Sequence, residues 1–290
     1  MLRVIRMLSL CCLAALVPAT AGAGWVIDWS TTAVNQNGER MAVQRATQAI
    51  AGNRVRMQQP EVITVIDYGR DQYTLMNVKK QYFWSGSIDD YLREMGQHRQ
   101  TAMRERVAAM GMAEKMSKKN AEKNAGNRAT DQKTKTIGPG DLPPVSITSA
   151  GTQEKIAGYD AEKYDVKVDG ELFQELWLAH GLDLSADLDA ARYQAIQEKT
   201  GSAMMGKSSK QYNALYRDPQ YRALVAKAFV LKSVTHHLAG GYERIATAVR
   251  QEDVPASTFE VPDSFRKVRL ADLFDPPPTP APRPTGNPTS

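Results

Sequence analysis

The side chains able to carry chemistry in this sequence are few and scattered. Ser264-Phe265-Arg266-Lys267 has the S-x-x-K spacing in which a lysine can take the proton of a serine nucleophile. Its companion motifs are absent, and it falls on an expected strand rather than at a helix start. No G-x-S-x-G occurs. The four histidines are His98, His180, His236 and His237, with no H-x-x-x-H or H-E-x-x-H spacing to put two imidazoles on one helical face. His236 and His237 read as the last turn of a helix that stops at Gly240-Gly241, where a cation suits the helix dipole. Asp183, Asp187 and Asp189 lack the glycine and terminal glutamate of a calcium loop, and read as acids near a helix N-terminus. Gly201–Gly206 lacks the spacing of a phosphate-binding loop. No catalytic residue, metal site or cofactor is expected. An enzyme would need carboxylates or histidines gathered from distant strands.

Binding chemistry is better represented. Val65, Tyr73, Leu75, Tyr82, Trp84 and Trp177 could line an apolar cavity on a sheet, or equally form its solid core. Alternation fixes a shared face only within one strand, and a slip of one residue exchanges the set. Met95, Met103 and Met110, with Met112 and Met116, give one helix a polarizable face suited to a lid or a partner, or to ordinary packing.

The elements that must position these residues centre on Glu61–Trp84. There Val62–Asp67, Gln72–Asn77 and Gln81–Trp84 read as three strands, rich in β-branched and aromatic residues. Their connections are too short for a parallel crossover, so an antiparallel meander follows, with Gly69 expected to take a positive φ. Arg40–Ala49 and Asn53–Met57 read as a hairpin leading into it. Ser87 and Asp90 mark a helix start. Apolar steps at Ile88, Tyr91, Leu92 and Met95 carry the helix to about Met116. Residues 117–142 are polar and lysine-rich, and read as a flexible insertion.

Strands resume at Val145–Ser149, Gln153–Ile156, Tyr159–Val168 and Glu171–Ala179, the last two joined by an Asp169-Gly170 hairpin turn. A helix is expected over Ala186–Glu198. A second opens with Asp218 as cap and Pro219 in the first turn, and runs to Gly240. Tyr242–Gln251, Phe259–Val261 and Lys267–Leu270 read as closing strands. The proline-rich stretch 275–290 reads as a disordered tail.

The amino-terminal stretch bounds the compartment. Arg3 and Arg6 precede the apolar run Met7–Val17, which is too short to span a bilayer, and small residues follow to Ala23. Residues 1–23 therefore read as a cleaved signal peptide, giving a periplasmic protein with no transmembrane span. Both cysteines, Cys11 and Cys12, lie inside that stretch, so no disulfide or thiolate site is expected in the mature chain. Loss of Arg3 and Arg6 takes the formal charge from +5 to about +3, spread along the chain, which does not point to nucleic acid.

Five short motifs run through this order of elements. They are Val65-Ile66-Asp67, Lys79-Lys80-Gln81-Tyr82, Lys155-Ile156-Ala157-Gly158-Tyr159, Glu175-Leu176-Trp177 and Phe259-Glu260-Val261-Pro262. With them the chain resembles the exported bacterial families grouped with the lipoprotein carriers LolA and LolB, over most of Arg40–Leu270. The resemblance implies an α+β fold: a curved antiparallel β-sheet, an unclosed half-barrel, packed on helices at its concave side. In the carriers that side holds acyl chains. The expected function is a non-enzymatic periplasmic protein that binds a lipid or lipoprotein acyl chain, or serves in envelope maintenance. The alternative is a cell-envelope interaction module with a filled sheet interior and a protein partner.

Overall fold

Short runs of β-branched and aromatic residues, punctuated by tight turns, make a chain of hairpins. The computed structural model describes residues 23–35, 37, 39–121, 142–205, 210–237 and 240–274. Residues 1–22 of the expected signal peptide, residues 122–141 of the expected insertion and the expected tail (275–290) lie outside the described residues. The first half of the chain gives β1 (Ala23–Val34), β2 (Arg40–Ala51), β3 (Arg54–Gln58), β4 (Val62–Asp67), β5 (Gln72–Asn77), β6 (Tyr82–Ser87) and the helix α1 (Ile88–Ala121). Next come β7 (Val145–Ile156), β8 (Tyr159–Val168), β9 (Glu171–Ala179), α2 (Ala190–Met205), α3 (Lys210–Arg217) and α4 (Pro219–Lys227). The chain closes with β10 (Phe229–His237), β11 (Gly240–Asp253), a 3-10 turn at Ala256–Phe259, β12 (Arg266–Lys267) and α5 (Leu270–Phe274).

The described strands form one large sheet in the order β12-β6-β5-β4-β3-β2-β1-β11-β10-β9-β8-β7. Every pairing is antiparallel except the short one between β12 and β6. The order has two ends and does not close. β1 is central, paired with β2 on one side and β11 on the other, which ties Trp25 and Trp29 into the core.

Local signals explain most boundaries. The helix start at Ser87 is a reciprocal capping box. Asp90 N–H donates to Ser87 Oγ at 3.0 Å, and Ser87 N–H donates to the Asp90 carboxylate at 3.3 Å. Asp169 and Gly170 both sit at positive φ, 57° and 80°, as a tight hairpin turn requires. In the β4–β5 turn it is Asp71, at φ 56°, that takes the left-handed conformation expected of Gly69. The Asp67 carboxylate accepts the Arg70 N–H at 2.9 Å and tightens this turn.

Six expectations are corrected. The helix expected over Ala186–Glu198 starts at Ala190 and runs to Met205, and Phe259 closes a 3-10 turn in place of an expected strand Phe259–Val261. Val145–Ile156 is one strand with an irregularity between Ser149 and Gln153, not two strands. The helix α1 runs past Met116 to Ala121. The residues after Val261 give β12 and α5 in place of an extended Lys267–Leu270. The largest difference is at Phe229–His237. The helix that opens at Asp218 stops at Lys227, and Ala228 is already extended (φ −152°, ψ 153°). The next residues form β10, whose Phe229, Val230, Val234 and Thr235 suit a strand bonded on both sides. Gly240 and Gly241 allow close backbone approach rather than ending a helix. A Cβ on Gly240 would fall 2.3 Å from the Val34 carbonyl oxygen, and one on Gly241 2.3 Å from that of Thr235.

Register sorts the side chains. One row runs Thr64–Leu75–Trp84, and α1 and α5 pack on that face. The other face of the same strands carries Ile63, Val65, Met76 and Phe83, covered by Val254, Phe259, Val261 and Phe265. Further along, α3 and α4 pack on Val166, Val168, Phe173, Leu176 and Leu178.

Candidate functional site

Of the six aromatic and apolar residues singled out from sequence, Tyr73, Leu75, Trp84 and Trp177 belong to one buried cluster with Tyr82 packed against it, and Val65 belongs to another. Tyr73, Leu75 and Trp84 are buried under α1. The ring of Tyr91 stacks on Tyr73 at 4.1 Å and meets Trp84 at 6.0 Å. This part of the sheet is filled. Val65 points to the opposite face, into the cluster with Phe259. Tyr82 is half-buried beneath the Arg266 guanidinium, which also donates to its hydroxyl at 2.9 Å. Trp177 lies far along the sheet, in one row between Lys232 and Lys163. Their ammonium groups stand 4.2 and 5.3 Å from its ring. The physical reason is the period of two along each strand, which puts Val65 and Leu75 on different faces.

The methionine face divides as well. Met95 is half-buried against the core, whereas Met103 and Met110 are 68% and 65% exposed. They neither plug nor cover anything among the described residues. The side chains of Met112 and Met116 lie outside the described residues.

The ionisable residues make pairs. On β10, His236 Nε2 lies 2.9 Å from a Glu175 carboxylate oxygen. Glu175 also pairs with Lys163. Burial pushes its carboxyl up, but the bonds from Lys163 and His236 outweigh that and hold it below the usual range. Asp183 and Asp189 accept the N–H groups of Ser185 and Arg192 as local caps. Among the described residues no three His, Asp or Glu side chains converge as a metal site.

A cavity of about 230 Å³ lies where the sequence marked none, between strands β1, β2, β9, β10 and β11 and helices α2, α3 and α4. Its floor includes Trp29, Gln48, Leu176 and Arg244, and its roof Tyr193, Tyr216, Tyr221 and Val225. The roof is positioned by local rules. Asp189 caps α2, and Asp218 caps α4 by accepting the Tyr221 N–H at 2.8 Å, with Pro219 in the first turn. On α3, Tyr212 and Tyr216 are four residues apart, so both rings turn inward.

The polar lining is ordered. The Trp29 indole N–H donates to Gln48 Oε1 at 2.8 Å. The Tyr221 hydroxyl donates to Gln174 Oε1 at 3.0 Å, and the Gln174 amide donates to Thr235 Oγ1 at 3.3 Å. Burial pushes the Tyr193 and Tyr221 phenols up and Tyr216 up to about 12, so all three stay neutral at physiological pH. The Arg244 guanidinium lies 4.0 Å from the centre of the Trp29 ring, and burial pulls it below its ordinary value. It remains a cation, because arginine starts so high.

Two wider hollows, of about 630 and 580 Å³, each carry an ion pair in their lining, Arg269 with Asp272 in one and Arg70 with Asp67 in the other. The aromatic cavity went unseen in the sequence because it draws on eight elements. The available signal was the run of tyrosines Tyr193, Tyr212, Tyr216 and Tyr221.

Comparison with known proteins gives one family. The pattern of DUF4412, a domain of unknown function, matches residues 92–265, more than half of the chain. No curated protein matches. Among solved structures, PNGF-II in a C2 crystal form is 9% identical with a TM-score of 0.37, covering 87% of this chain and 32% of that one. A second crystal form of PNGF-II, in P21, is also 9% identical, with a TM-score of 0.36 and coverage of 85% and 31%. The chain thus spans about a third of the length of PNGF-II, a likeness too distant to assign a fold.

Proposed function

The chain belongs to the DUF4412 family, and we propose that it is a non-enzymatic binding protein taking a small apolar ligand between its sheet and helices α2–α4. In this reading the sheet is a curved, unclosed half-barrel with its helices on the concave side, as the resemblance to the LolA and LolB carriers implies. The periplasm is the proposed compartment, supported by the signal-like residues 1–23.

The observation that carries the reading is the cavity of about 230 Å³ with five aromatic rings, Trp29, Tyr193, Tyr216, Tyr221 and Phe229, at its wall. Small-molecule sites are concave and mostly apolar, with a few fixed polar groups. Size decides what fits. An apolar cavity of about 150 Å³ holds benzene, so this one takes about nine non-hydrogen atoms. That suits a substituted ring or the end of an acyl chain. A whole acyl chain requires the helices to move. At roughly 0.7 kcal/mol per atom such a ligand gains about 6 kcal/mol, a Kd of tens of micromolar.

The test is native mass spectrometry of the protein purified gently from the periplasm, with bound molecules identified on release, beside titration of small aromatic ligands followed by tryptophan fluorescence. Uptake is expected near one to one, and Val225→Trp, which fills the cavity, abolishes it. Equal uptake by wild type and Val225→Trp would place binding elsewhere and overturn the reading.

A further inference from the structure

We propose that the cavity selects a small organic anion, with Arg244 and Gln48 holding the anionic head and the tyrosine-lined wall holding an apolar body. This rests on the cavity being a ligand site, and adds the ligand's charge.

Four observations carry it. The described lining contains two guanidinium groups, Arg222 and Arg244, and no aspartate or glutamate. Arg244 has a ring contact with Trp29, and no carboxylate partner among the described residues. A ring face offsets the charge of a guanidinium, but gives its N–H donors nothing to bond. The buried Gln48 accepts the Trp29 N–H through Oε1, and its amide nitrogen has no partner among the described residues. Both donor groups thus contact Trp29 and line the cavity, and neither the Arg244 guanidinium nor the Gln48 amide nitrogen has a hydrogen-bond acceptor among the described residues.

The same strand supplies a contrast. Six residues further along β11, Arg250 is exposed and pairs with Asp28 at 2.7 Å and Glu252 at 3.5 Å. Glu243, adjacent to Arg244, points to the other face and pairs with Arg40 at 3.7 Å. The exposed arginine has two carboxylates, while the half-buried one has none among the described residues. Removing a cation from water without a counter-charge is unfavourable. Guanidinium matches the geometry of a carboxylate or a phosphate, so either head fits.

The test compares heads on one ring: benzoate, phenyl phosphate, benzamide and benzylamine, each titrated into the full chain. Calorimetry gives affinity, and the NMR signal of the Trp29 indole N–H reports the site. At least one of the two anions is expected to bind tenfold or more tighter than benzamide, with benzylamine weakest. Which anion leads identifies the head as carboxylate or phosphate. Arg244→Gln is expected to lower anion affinity tenfold or more and leave benzamide unchanged. Arg244→Lys, which keeps the charge but loses the fork, falls between. Equal binding of benzoate, phenyl phosphate and benzamide, or tightest binding of benzylamine, overturns the anion assignment and leaves the apolar site standing. Failure of all four to perturb the Trp29 signal removes the site itself. The wild-type series decides the question even where Arg244→Gln does not fold.

Discussion

Two faces of the sheet are built from the same alternating strands, yet under the first turns of α1 the rings pack on one another and under α2–α4 they line a cavity. Across β4, β5 and β6 the first turns of α1 lay Ile88 and Tyr91 onto Tyr73 and Trp84, and every ring finds another ring or an aliphatic neighbour. Across β9, β10 and β11 the cover is three short helices that present tyrosines, with Gln48, Gln174 and Arg244 on the floor. Polar floor groups whose bonding capacity is only partly used cannot be packed over as methyl groups can. Strand pattern makes a face; the element laid on it decides whether that face becomes core or cavity.

The largest expected effect is under α1. Trp84→Ala should cost about 3–5 kcal/mol, as for buried aromatic truncations, whereas Tyr216→Ala, already beside a void, should cost roughly half. Urea denaturation measures both, and equal costs would dissolve the distinction. Next comes insertion. Leu75→Trp overpacks and should cost about 1–3 kcal/mol, while Val225→Trp finds room and should leave the melting temperature unchanged or raised. A large loss for Val225→Trp would mean that the packing under α2–α4 is as tight as that under α1.

Smaller still is the cap of α4, which holds the cavity roof. Asp218→Ala should lower stability by about 1 kcal/mol, with Asp218→Asn close to wild type, read from thermal melts. Loss of ligand affinity beyond that of stability would tie the cap to the site. The smallest effect is in acid. Glu175 is held below the usual carboxylate range by Lys163 and His236 against the upward push of burial. Its contribution is therefore full above the unfolded value of about 4.3 and is lost as pH falls through the lower folded value. Melting curves from pH 6 to 3 should show wild type losing its advantage over Glu175→Gln toward the acid end. An advantage that persists there would mean that the pair adds nothing.

Much of the fold was legible. The Ser87–Asp90 capping box, the Asp169-Gly170 turn and the Asp218-Pro219 helix start are local signals, set by side chains within three residues of the backbone they fix. The misread element, β10, is the one whose preference is not local. Phe229–His237 follows a true helix with no strong breaker before Gly240, and only pairing with β9 and β11 makes it a strand.

The sequence by itself determined the β3–β6 meander, the Asp169-Gly170 hairpin and the starts of α1 and α4, because each depends on contacts among near neighbours. Tertiary structure alone decided that Val65 and Trp84 face opposite sides, that Trp177 joins the cluster of Trp84 from a distant strand, and that Trp29, Gln48, Tyr216 and Arg244 meet. Those outcomes depend on register and on which helix covers which strands. The groups that meet are drawn from β1, β2, α3 and β11, and no spacing in the sequence records that distance.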